Sequence, residues 1–224
     1  MAVQSMSQTQ SNPETRRSER ANTRLYRWIP AGLLLAAAVL LAASIAFPYW
    51  GLVLEAPQYP GGLEMRVFVN YMTGDEDPQL DEVREIDGLN HYIGMQSLYK
   101  AAAFERSIAL PSVILMVILL GVVAFVPRRW VWLLALPAVA FPFIFLADLA
   151  FWMNNYGQNL DPYAPLSSAI QPFTPPILGE GIIGQFKTVA YVNAGWYLAV
   201  GAAALVLVAL LIRLVTRTTS AKES

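Results

Sequence analysis

The sequence predicts a membrane protein, mainly α-helical, with four transmembrane helices and a small α+β extracytoplasmic cap. Two observations carry this reading. Hydrophobic residues make up 56% of the 224 and charged residues only 14%, and the apolar residues gather in four long runs rather than spreading as they would through a soluble core. Ten of the fifteen basic residues, but only three of the sixteen acidic ones, then fall on one side of those runs. Such an excess of Arg and Lys marks the cytoplasmic side.

Taken in order, residues 1–28 are polar and Arg-rich, with little to bury, and read as a disordered basic cytoplasmic tail. The runs 29–50, 108–126, 131–152 and 190–215 each approach or exceed the about 20 helical residues that cross a bilayer. Ser44-Ile45-Ala46 resembles a signal-peptidase site, so cleavage of the first run stands as an alternative. The length of that run and its aromatic ends, Trp28 and Tyr49-Trp50, favour a retained anchor, with the rings placed at the headgroup belt. Trp130 and Trp152 bracket the third run in the same way. Residues 127–130 form a cytoplasmic loop carrying Arg128 and Arg129, and 216–224 a cytoplasmic tail. Pro111 sits near the start of the second run, where a missing N–H costs little, and Pro137 and Pro142 are kink candidates in the third.

Two extracytoplasmic segments remain. In 51–107, Leu63, Met65, Val67, Val69 and Tyr71 alternate with Glu64, Arg66, Phe68 and Asn70. That period of two predicts a strand with one buried face. A second short strand is expected around Val83–Ile86 and an amphipathic helix over 96–106. Residues 153–189 carry Pro162, Pro165, Pro172, Pro175 and Pro176 and read as a stiff loop with little regular structure. Its apolar part, 173–179, is expected to pack on the first segment or lie on the membrane surface.

Candidate chemistry is sparse. The chain has no cysteine and one histidine, which removes disulfides, zinc-thiolate sites and bis-histidine haem. His91 and Met95 are four apart and would share a helical face. Imidazole and thioether suit Cu(I), with Met65, Met72 and Met153 as further sulfur ligands from the two outer segments. The same residues also suit a hydrogen-bonded Asn90–His91–Tyr92 turn with Met95 as core packing. Asp148, near the outer end of the third run, suits a cation or proton role, a cap, or an ion pair with Lys187 or Arg106. Asp75-Glu76-Asp77 with Asp81 and Glu82 lacks calcium-loop alternation and reads as a solvated acidic loop. No nucleophile, phosphate-loop or metalloprotease motif is present, so the sequence gives no indication of an enzyme. The acidic outer face disfavours nucleic acid as a partner.

The stretches Ala56-Pro57-Gln58-Tyr59-Pro60-Gly61-Gly62-Leu63 and Ile86-Asp87-Gly88-Leu89-Asn90-His91-Tyr92-Ile93-Gly94-Met95 resemble uncharacterised bacterial four-span membrane proteins. Those proteins are associated with gene neighbourhoods for copper-enzyme maturation, notably that of nitrous oxide reductase. Asn159-Leu160-Asp161-Pro162 and Pro172-Phe173-Thr174-Pro175-Pro176 are similar too. The resemblance covers both outer segments and implies a copper-related setting by neighbourhood, without a ligand set. The expected function is therefore an accessory protein of the bacterial plasma membrane that binds or delivers copper outside it. The alternative is a non-catalytic scaffold subunit of a membrane complex. Expected partners are the lipid bilayer and other membrane or extracytoplasmic proteins.

Overall fold

The structure, a computed structural model, describes residues 13–75, 80–126, 128 and 130–222, with side chains from residue 28 to residue 216 within those ranges. Residues 1–12, Glu76 and Asp77 of the acidic loop, Arg129 of the short link, and Glu223 and Ser224 lie outside the described residues.

Among the described residues, five α-helices and five strands follow one another as α1 (Pro13–Ser44), β1 (Trp50–Ala56), β2 (Tyr59–Val67), β3 (Met72–Thr73), α2 (Glu82–Ile93), α3 (Ala103–Phe125), α4 (Leu136–Gln158), β4 (Gly179–Ile183), β5 (Phe186–Val192) and α5 (Ala194–Lys222). Among the described residues, three helical segments are long and apolar enough to cross a membrane: Ala103–Phe125, Val131–Gln158 and Ala194–Thr216. The apolar part of α1 is shorter, Trp28–Ser44.

The first expected span, 29–50, is therefore shortened at its C-terminal end, while its start agrees with the apolar segment beginning at Trp28. The helix extends back to Pro13, through Arg-rich sequence read as disordered. It stops at Ser44 because Pro48 disfavours helical backbone before it and because the Ser44 hydroxyl turns to the Leu41 carbonyl and the Tyr49 hydroxyl, each at 2.6 Å. Trp50 then opens a strand and is 0% exposed, so it belongs to a core and not to a headgroup belt. The fourth run is trimmed likewise, since 190–192 finish β5.

The strands form one antiparallel sheet in the order β3-β2-β1-β5-β4. Leu63 and Met65 on β2 face inward with Leu52 and Leu54 on β1 and Ala190 on β5, as the alternation predicts. Of the loop expected over 153–189, residues 159–178 carry no helix or strand, as expected, whereas α4 runs on to Gln158 and β4 and β5 occupy the end. Val83–Ile86 is helical rather than a strand. Asp81 caps α2 by accepting from the Arg84 N–H at 3.1 Å, and Val83, Ile86 and Ile93 bury one face against the sheet. In place of the amphipathic helix over 96–106 there is a 3-10 turn, Leu98–Lys100, and then the start of α3.

Two hydrophobic cores result. One lies among α1, α3, α4 and α5 and is rich in alanine: Ala31, Ala37, Ala199, Ala202 and Ala209 let helix backbones approach closely. α1 packs most extensively on α5. The other lies between the sheet, α2 and the last turns of α4. The sheet and α2 thus form a cap over one end of the bundle. Pro111 is interior to α3, which begins at Ala103, well before the expected 108. Pro137 falls in the first turn of α4, and the helix continues through Pro142, whose carbonyl accepts from Trp196 Nε1 at 2.9 Å.

Candidate functional site

The cap core contains a cavity of about 50 Å³ lined by Met65, Met95 and Met153 together with Leu52, Ile86 and Phe186. Each methionine comes from a different element, and each is placed by local sequence. Met65 lies on the inward face of β2. Met153 projects from the last turns of α4 and is half-buried.

Met95 is placed by the end of α2. Gly94 takes φ 87°, its N–H bonds the His91 carbonyl, and the Met95 N–H bonds the Asn90 carbonyl at 2.9 Å. This left-handed cap ends the helix and turns the chain inward. Asp87 then holds the turn: its carboxylate accepts the Leu98 N–H at 2.6 Å and the Ser97 hydroxyl at 2.9 Å. Met95 is 8% exposed as a result.

His91 behaves differently. It occupies the last turn of α2 and is exposed, with its ring 6.4 Å from that of Tyr92. The expected shared face of His91 and Met95 requires a helix through residue 95, and Gly94 ends the helix first. Met72, on β3, packs against the cap core without lining the cavity. Of the five sequence-predicted ligands, Met65, Met95 and Met153 line one cavity, and His91 and Met72 lie outside its lining. Among the described residues no group of three or more His, Cys, Asp or Glu side chains is placed to hold a metal ion.

The second outer segment closes the cap. The Asp161 N–H donates to the Gly94 carbonyl at 2.8 Å and the Leu166 N–H to the Tyr92 carbonyl at 3.0 Å. A Cβ on Gly94 would meet the Asp161 backbone at 2.8 Å, so this contact requires glycine twice over. Farther on, the Phe173 N–H bonds the Gly157 carbonyl at 3.0 Å, and Pro175 reaches the cavity. The apolar part of this segment therefore packs on the first one, as expected.

The opposite sheet face is polar. Glu64 and Arg66 pair through two contacts of 2.8 and 2.9 Å, and Tyr191 donates to Glu64 at 3.0 Å. The Arg66 guanidinium holds the Glu64 carboxyl below the usual glutamate range, aided by the Tyr191 hydroxyl against a smaller opposing effect of burial. Glu82 departs from the solvated loop expected of it. It is buried, and its carboxylate accepts the Glu64 N–H at 3.2 Å and the Asp75 N–H. Asp148 is half-buried in α4. Neither expected ion pair forms, because Lys187 pairs with Glu180 at 3.2 Å and Arg106 donates to the Tyr99 carbonyl.

Chemically, the cavity offers three polarizable thioethers within an apolar wall, and its lining includes no carboxylate or imidazole. Such a donor set suits a soft monovalent ion rather than a hard divalent one. Sequence reasoning named these methionines but missed Asp87, whose clamp sets Met95. An acid eleven residues before the backbone it binds leaves no local signal. No family model matches the chain, and no curated protein matches it in sequence.

Proposed function

We propose that this is an integral membrane accessory protein that holds copper(I) in its cap, through Met65, Met95 and Met153, for delivery to a maturing copper enzyme. The single supporting observation is that Met65 of β2, Met95 of the turn after α2 and Met153 of α4 all line one apolar cavity. Thioether ligands favour Cu(I), and the apolar wall disfavours a hydrated hard cation. His91 and Met72 stand outside this ligand set.

The proposal places the cap outside a bacterial plasma membrane, with both termini cytoplasmic. The distribution of Arg and Lys supports that orientation. It also takes α1 as a fourth span. The apolar segment Trp28–Ser44 is about 25 Å long at 1.5 Å per residue. Local thinning of the bilayer accommodates the difference from about 30 Å.

The test is an anaerobic Cu(I) titration of the purified protein against a chromophoric competitor. Wild type binds one equivalent. Met65→Leu, Met95→Leu and Met153→Leu, which nearly conserve volume, each weaken binding about tenfold or more. Binding that survives all three changes, or no binding by wild type, overturns the reading. A scaffold role then becomes the better one. It is favoured by Ile182 on the edge strand β4, 79% exposed, and Tyr163, 93% exposed.

A further inference from the structure

At the end of the bundle opposite the cap, a second cavity of about 180 Å³ opens between α5 and the chain leading into α4. Its lining divides in two. Leu207, Leu210, Leu211 and Leu214 form one stripe of α5, spaced at three and four residues, with Trp132 facing them. Arg128 and Arg213 supply its charge. Among the described residues no acidic side chain lines it.

Position makes this division informative. Arg213 lies one turn from the end of the span Ala194–Thr216, and Arg128 follows the end of α3 at Phe125. Both guanidinium groups therefore sit at one membrane boundary, with Trp130 and Trp132 exposed at the same level. The Leu207–Leu214 stripe runs back into the hydrocarbon for about 10 Å, and Leu207, Leu211 and Leu214 are exposed along it. Arg213 is also fixed: its Nη2 donates to the Ala124 carbonyl at 3.1 Å in the last turn of α3. The site is thus a cationic rim above an apolar wall, the two parts of a phospholipid in their natural order.

We propose that this cavity binds an anionic phospholipid, with its phosphate between Arg128 and Arg213 and one acyl chain along the leucine stripe. A guanidinium pairs with phosphate through two parallel N–H donors, and basic pockets at such helix ends recognise anionic headgroups. A zwitterionic headgroup brings its own cation to the same rim and is disfavoured. This inference is independent of the copper proposal, since the two cavities lie at opposite ends of the bundle.

The test is native mass spectrometry of the full chain in detergent. It is exposed in turn to dioleoylphosphatidylglycerol, to dioleoylphosphatidylcholine with identical chains, and to inorganic phosphate. The expected result is one retained phosphatidylglycerol per chain, little phosphatidylcholine, and no displacement by millimolar phosphate. Arg128→Gln, at an exposed position in the link, and Leu207→Trp, which fills the cavity from an exposed position, each lower retention about tenfold while the thermal midpoint in detergent stays unchanged. Equal retention of both lipids, displacement by phosphate, or loss in only one of the two variants overturns the proposal. So does an arginine-dependent dimer, which would assign the cavity to a second copy of the chain.

Discussion

Trp50 Nε1 donates to the Ile177 carbonyl at 2.6 Å, joining the first strand to the proline-rich segment across 127 residues. Trp50 is fully buried, whereas Ile177 is half-buried, so the bond is only partly shielded from water. Trp50→Phe keeps most of the apolar surface and removes the donor. It is expected to cost about 1 kcal/mol, the net worth of a partly buried hydrogen bond. Chemical unfolding in detergent measures the loss. Limited proteolysis between residues 160 and 178 should accelerate in parallel.

Gly94→Ala tests the junction between the two outer segments. The left-handed φ of 87° and the approach of Asp161 both oppose a Cβ. The expected destabilisation exceeds about 1 kcal/mol, and the 159–166 stretch becomes the first site of proteolytic cleavage. A variant as stable and as resistant as wild type would contradict the contact.

Asp87→Ala separates positioning from ligation. Asp87 is absent from the lining of the methionine cavity but holds the turn that carries Met95. If the three thioethers bind Cu(I), Asp87→Ala lowers affinity about tenfold while sparing the stoichiometry, and His91→Ala changes it less than about twofold. An effect of His91→Ala equal to that of Met95→Leu would place the site elsewhere.

The Glu64–Arg66 pair gives a dependence on acid. The folded protein holds Glu64 below its ordinary value, so the contribution is fully present above the unfolded glutamate pKa, about 4.3. It is lost as pH falls through the depressed folded value. Wild type should therefore exceed Glu64→Gln in thermal midpoint at pH 7 by less than about 4 °C, as for a surface pair. The gap should close toward pH 3. A gap that widens on acidification would reverse the assignment.

Legibility in the sequence followed the length and regularity of each signal. Long apolar runs and the strict alternation at Leu63–Val67 placed three spans and β2. Short or merged signals misled. Val83–Ile86 has too few residues to distinguish a strand from one face of a helix, and the capping Asp81 decided it. β5 escaped because Val189, Ala190 and Val192 run directly into the apolar start of α5. The spacing of His91 and Met95 predicts a shared helical face, but Gly94, the residue that ends the helix, lies between them. The grouping of Met65, Met95 and Met153 depends on contacts between distant segments, which no local pattern encodes.

The joint between cap and bundle has a mechanical consequence. β1 follows α1 after Ser44, β5 leads into α5 through Asn193, and the two strands pair with each other. The crossing is pinned by the Asn193 N–H to the Tyr49 carbonyl at 2.9 Å and the Gly195 N–H to the Pro48 carbonyl at 2.8 Å. The first and last helices are thus spliced into one beam at their cap ends. A chain severed between α3 and α4 would keep its halves together through that splice. A force applied to the sheet would be transmitted to both helices at once, with no slack to absorb it.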